Sequence, residues 1–143
     1  MTEGEFQKVS RTDKPLYGPR KLLLCGFAAN AQAKFKRLLR MIGLSEFPLV
    51  WLTEEQADRR LEELVKLDDG TGSGLSSQLP QAVIISGILQ IELHLLMSGC
   101  RQAGMKQTLW ATLTPTSETW TLQSLLSELA AEHKAMQARK QQK

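Results

Sequence analysis

The side chains able to do chemistry are few, and they gather into no diagnostic set. The chain has two histidines, His94 and His133. Glu128 and Glu132 stand one helical turn apart, just ahead of His133 and Lys134, so carboxylate, imidazole and ammonium groups share one stretch. Those are the groups that general acid–base work requires, and His133, Glu132 and Glu128 are the only catalytic candidates. His133 also falls in register with Leu122, Leu126, Leu129 and Met136, the position of a residue at a core margin. His94 lies off the apolar stripe of its segment, with Gln90 and Arg101, and reads as a surface residue.

A second cluster is cationic. Lys34, Lys36, Arg37 and Arg40 lie within seven residues on one predicted helix and are the candidate phosphate contacts. Bases biased toward the C-terminal turns of a helix also complement its dipole, which is the plainer account of them. The two cysteines, Cys25 and Cys100, have no CxxC partner and no histidine at ligand spacing, so no metal site is expected. Both sit in apolar surroundings and read as buried thiols. Gly70, Gly72 and Gly74 do not make a phosphate loop, because no strand leads directly in and no helix with Lys follows. Asp68 and Asp69 lack the periodic acids of a calcium loop.

The elements that must hold these residues follow from periodicity. Residues 1–20 are polar, broken by Pro15, Gly18 and Pro19, and are expected to form a loose arm. Lys21–Phe27 and Ala82–Gly87 are short continuous apolar runs, each suited to a strand buried on both faces. Phe47–Leu52 and Gln107–Leu113 give two further strands. Between them, Ala31, Phe35, Leu38 and Ile42 predict one amphipathic helix, with Asn30 as its N-cap. Leu89, Leu93, Leu96, Cys100 and Ala103 predict another. Thr53-Glu-Glu-Gln56 reads as a capping box opening a helix with Ala57, Leu61 and Leu64 inward. A last helix runs from about Thr121, and residues 137–143 form a basic tail that frays. Residues 68–80, rich in Gly and Ser, have the composition of a flexible linker.

The order is β-α-β-α-linker-β-α-β-α, which predicts a small α/β domain over residues 21–136 with four mostly parallel strands covered by helices. Each half reads strand–helix–strand–helix, but the sequence shows no convincing internal repeat. In such a sheet, ligands bind outside the carboxyl ends of the strands. That edge is expected to collect Asn30, Thr53, Ser86, Gly87, Thr114, Ser117 and Trp120. Trp120 serves either as a staple against the sheet or as an exposed stacking surface. The same residues also account for ordinary capping and tight turns.

Length and charge bound the class. The 143 residues, 42% apolar and 23% charged, suit one globular domain able to bury a core without staples. A net charge of +3 does not by itself imply nucleic acid. Its distribution is uneven: nine bases against four acids over residues 1–47, three against seven over 48–70 and six against four over 71–143. No apolar run is long enough to span a bilayer. The start, Met1-Thr-Glu-Gly-Glu5, lacks the apolar stretch of a signal peptide, which leaves the cytoplasm as the expected location and no membrane partner.

The stretch from Ala82 through Thr114-Pro-Thr-Ser-Glu-Thr-Trp120 to the Leu-rich run ending at Glu132-His133 resembles a small bacterial family of unknown function. That family has a Thr-Pro-x-Asn-x-x-Trp turn and a Leu-rich helix ending in Glu-His, and is in places labelled a tRNA nuclease. Thr114, Pro115, Trp120, Leu125, Leu126, Glu128, Leu129, Glu132 and His133 stand at its motif positions. Ser117 stands where the family has Asn, keeping a capping oxygen without the amide donors. The resemblance implies an RNA-directed enzyme; joined to the charge pattern, that reading has the Lys34–Arg40 helix hold phosphate and His133 with Glu132 act on it. The residues themselves favour a binding or regulatory module that takes a protein partner or anionic ligand at the carboxyl edge, with no cofactor. Self-association is a further expectation, since a four-stranded sheet has two edges to pair or cover.

Overall fold

A computed structural model describes residues 14–105 and 107–141. The expected N-terminal arm lies outside the described residues as far as residue 13, as do residues 142–143 of the tail. Four strands form one sheet: β1 (Lys21–Cys25), β2 (Leu49–Leu52), β3 (Ala82–Ser86) and β4 (Leu109–Thr112), in the order β2-β1-β3-β4. The helices are α1 (Ala29–Met41), α2 (Leu61–Leu64), α3 (Gln90–Gln102) and α4 (Leu122–Gln141), with short 3-10 turns at Glu54–Gln56 and Ser117–Thr119.

The α/β class and the four strands match the alternation of apolar runs and amphipathic stripes. β1 pairs parallel with β2 and β3 parallel with β4, while the central pair β1–β3 is antiparallel. The continuous apolar strands explain why both faces must be covered. Leu22, Leu24, Trp51 and Ile85 face α1 and α3, while Leu23, Cys25, Leu52 and Ile84 face α2 and the first half of α4. Burying such side chains fully contributes about 1.5–3 kcal/mol each, so this three-layer packing supplies most of the driving force.

The direction of β3 is decided by residues 65–81. After the single turn of α2, Lys21 Nζ donates to the Leu67 carbonyl at 2.6 Å, which places the chain beside the start of β1. It then climbs the outer edge of β2. Gly70 N–H donates to Leu49 O and Trp51 N–H to Thr71 O, both at 2.8 Å. Buried Gln32 holds the climb, its amide donating to Leu75 O at 2.9 Å and accepting from Gly74 N–H at 2.7 Å. Ser76 Oγ accepts from Ala29 N–H at 3.1 Å. The chain thus arrives at the carboxyl end of β1, and β3 has to descend.

Several local expectations change. α1 starts two residues earlier than the Asn30 cap would require. Ala28 is at the N-cap position without a side-chain bond, Asn30 is an exposed residue inside the helix, and Ser76 supplies the missing oxygen. The Thr53/Gln56 capping box forms, with Gln56 Oε1 accepting from Thr53 N–H at 2.7 Å, but it opens a 3-10 turn. The helical residues that follow are only the turn of α2.

An internal repeat is present. Adding 61 to a residue number maps β1 onto β3, and the antiparallel register Leu23↔Ile84, Cys25↔Ala82 maps onto itself. The parallel pair Leu22↔Leu49 maps onto Val83↔Trp110. The carbonyl of Trp120 accepts from Leu61 N–H at 3.0 Å, and its mate Arg59 accepts from Leu122 N–H at 2.9 Å. Two halves are therefore related by a pseudo-twofold axis between Leu23 and Ile84. The sequence trace is slight: Pro19/Pro80, Gly26/Gly87, Gly43/Gly104, Thr53/Thr114, Leu61/Leu122 and Leu64/Leu125 are identical pairs at that offset. Gly26 and Gly87 have φ of +75° and +65°, and the Cβ of any other residue at Gly87 would stand 2.6 Å from Gly18 O. Both turns need glycine for the same reason.

Candidate functional site

An antiparallel centre has a direct consequence for the expected ligand edge. The carboxyl ends of β1 and β2 lie at one end of the sheet and those of β3 and β4 at the other. Asn30 and Thr53 are therefore separated from Ser86, Gly87 and Thr114. Ser86 is fully buried; its hydroxyl has no partner and closely faces Gly18. Thr114 and Ser117 satisfy each other: Thr114 N–H donates to Ser117 Oγ and Ser117 N–H to Thr114 Oγ1, both at 3.0 Å. This box is the pseudo-twofold mate of the one at Thr53 and Gln56. The following helix is capped instead by Thr121, whose Oγ1 accepts from Ser124 N–H at 3.2 Å. Trp120 packs half-buried against the core on the α2/α4 face, as a staple does.

The acid–base candidates do not converge. His133 is half-buried and its ring meets Gln137 of the same helix at 3.5 Å, while Glu128 and Glu132 are exposed and take no part in that contact. Among the described residues, no three His, Cys, Asp or Glu side chains stand together as a metal site. Cys25 and Cys100 are both buried, on opposite faces of the sheet, and burial pushes each thiol up to about 12. Neither is a nucleophile near neutral pH.

The cationic helix is more informative. α1 carries Lys34, Lys36, Arg37 and Arg40 and no acid, and it splits them between two sides. Lys36 and Arg40 lean toward the β2 edge, over a depression of about 320 Å³ that Trp51 and Asp69 also line. The indole Nε1 of Trp51 is buried without a partner, and the ring is held edge-on by Phe27 and Phe35 at 5.6 and 6.2 Å. Lys34 and Arg37 stand on the other side, beside a groove of about 560 Å³ between the C-terminal halves of α1 and α3.

That groove exists because α3 has a glycine at the crossing. Gly99 lets the side chains of Leu38 and Ile42 approach, and an added Cβ would lie 3.3 Å from both. Leu38, Ile42, Gly99 and Ala103 make an apolar floor beneath Lys34 and Arg37. Met41, 77% exposed, stands at its rim. The acid on α3 is already engaged: Arg20 makes a two-pronged pair with Glu92 at 2.6 and 2.7 Å and stacks on Phe47 at 4.1 Å. Arg20 and the Leu89 amide together hold the Glu92 carboxyl below the usual carboxylate range.

A family model for a domain of unknown function, DUF3783, matches residues 81–136. The matched stretch runs from the start of β3 well into α4, so DUF3783 coincides with the second of the two pseudo-symmetric halves. The resemblance read over residues 82–134 lies inside it, at the level of an uncharacterised family, and the description carries no activity. No curated protein and no solved structure matches the chain. No helix among the described residues is long and apolar enough to cross a membrane.

Gln32, Trp51 and Glu92 were missed by sequence reasoning. For Gln32 the signal in the sequence is only its place on the apolar side of α1 beside Phe35 and Leu39. The groove was half-legible: its cations were singled out, but its floor depends on Gly99, an unremarked glycine inside a helix.

Proposed function

We propose that this protein is a binding module that holds an acidic amphipathic segment of a partner protein in the groove between α1 and α3. The observation that carries the reading is the apolar floor under Lys34 and Arg37, on a helix with four bases and no acid. A helix laid in such a groove buries its apolar face on Leu38, Ile42 and Ala103, and its acids meet the cations at the rim. The recognition site thus moves from the carboxyl edge, which is divided between two ends of the sheet, to the face of the helices. The RNA-directed alternative has the same basic helix but lacks a histidine–carboxylate contact, and no observation favours it.

The test uses a synthetic helical peptide with Leu and Glu on opposite faces, titrated into 15N-labelled protein. Amide shifts are expected around Lys34, Arg37 and Gly99. A Lys34→Glu/Arg37→Glu variant is expected to bind at least about tenfold more weakly, about 1.4 kcal/mol. Equal shifts from a peptide with Lys in place of Glu, or shifts confined to the α2/α4 face, overturn the proposal. Binding of total tRNA that falls steeply with salt would transfer the cations to the RNA reading.

A further inference from the structure

The two halves differ in one respect that bears on association. In the first half, the outer edge of β2 is closed by the climbing segment: Leu49 O accepts from Gly70 N–H, Trp51 N–H donates to Thr71 O, and Leu49 N–H donates to the Asp69 side-chain Oδ1 at 2.8 Å. The equivalent edge of β4 presents Trp110 and Thr112, since Leu109 N–H and Leu113 N–H turn inward to Gln81 O and Ile85 O. Residues 129–136, which would correspond to the climbing segment, are instead part of the 20-residue α4. Among the described residues nothing bonds to the outward groups of Trp110 and Thr112. Beside them Met97, Met105 and Trp110 are half-buried around a depression of about 280 Å³, the pseudo-twofold mate of the one that the first half borders with Asp69 and Gly70.

We propose that β4 is the seam of a homodimer, two copies pairing their β4 edges antiparallel into one eight-stranded sheet. Three features point to a second copy as the occupant. Gln107–Thr114 carries no charge and no proline, so the strand itself lacks two of the devices that normally prevent strand pairing, and the charge beside it is Arg101 at the rim of the depression. Antiparallel pairing about a twofold axis closes both open edges at once, whereas a foreign strand closes one. Because β2 is already closed, the assembly stops at two copies and cannot propagate into a fibre. The seam also repeats a geometry that the chain uses internally, where β1 and β3 pair antiparallel about the pseudo-twofold axis. A four-residue ladder is small beside the about 1,200 Å² that standard interfaces bury, so Met97, Met105 and Trp110 have to contribute, and the dimer is expected in the micromolar range.

The experiment is sedimentation equilibrium of the full chain from about 1 to 200 μM, with three variants. The wild type is expected to move from the 16.0 kDa chain mass toward twice that value. Thr112→Lys puts a charge on the seam and Thr112→Pro removes an outward donor where an edge tolerates proline; both are expected to stay monomeric with unchanged circular dichroism. A dimer that survives both substitutions has another interface and overturns the proposal, as does a wild type that is monomeric throughout. In the second case, dimerisation on deleting residues 1–13 would assign the edge to the chain's own N-terminal segment.

Discussion

At the scale of single residues, the side chain that decides most is one that composition would discard. Gln32 is 4% exposed and both ends of its amide are satisfied by the backbone of Gly74 and Leu75. Truncating it removes both bonds from an exposed loop segment that has no substitute side chain beneath it, each bond contributing about 0.5–1.5 kcal/mol. Gln32→Ala is expected to lower stability by about 2 kcal/mol in urea unfolding. Its signature is local: Gly74 amide exchange should rise more than that of the central strands. Uniform loss of protection across β1 and β3 would show that Gln32 stabilises the whole core and has no special hold on the climbing segment. Glutamine at a buried helical position is informative because it has both a donor and an acceptor to satisfy, and a single sequence does not name the partners. The same holds for Ser86 and Trp51, which look like a site hydroxyl and a strand aromatic until their burial is known.

At the scale of elements, the strands and the three long helices were legible because each has a period that its burial demands. The continuous runs of β1 and β3 are covered on both faces, and Phe35, Leu96 and Leu126 face inward as their stripes require. What periodicity does not report is direction: the antiparallel turn of β3 rests on Lys21, Gln32 and Ser76 holding a segment whose composition is that of a linker. Ends of elements are also set from outside, as where Ser76 takes the place of Asn30. Glu92 shows how far one such end can be tested. It accepts from Leu89 N–H at 3.1 Å and pairs with Arg20, and its carboxyl is held low. A carboxyl with a depressed folded value contributes stability above its unfolded value of about 4.3, and that contribution is lost as pH falls through the folded value. Glu92→Gln keeps a capping acceptor and removes the charge. With Arg20 42% exposed on its side chain, solvent screening limits the expected cost at pH 7 to about 0.5–1 kcal/mol. Thermal unfolding of the two proteins should differ at pH 7, and the gap should narrow progressively as pH falls below about 4.3; a gap that does not shrink with falling pH would mean that packing, not charge, is what the substitution removed.

At the scale of the whole molecule, the architecture is two half-sheets fused about the β1–β3 seam. Each half alone would bare a strand whose every residue is buried in the intact chain: Ala82 to Ser86 are all 2% exposed or less. A fragment of residues 76–143, which contains the DUF3783 match, therefore has to replace β1 with something. The register offers the replacement, because a copy of β3 turned about the axis at Ile84 meets the same pattern of partners that β1 provides. The fragment is expected to be folded only as a dimer, its helical signal falling on dilution as the strands separate. Carrying Thr112→Lys in the fragment blocks the β4 edge, so that any dimer reports on β3 alone. An equimolar fragment of residues 14–75 should then displace one copy and restore a one-to-one complex, since Leu22 and Leu24 fit Ile85 and Val83 in the intact chain. A fragment that remains folded and monomeric at all concentrations would show that one half closes its own core, and that the central pairing joins two independent domains in place of completing one.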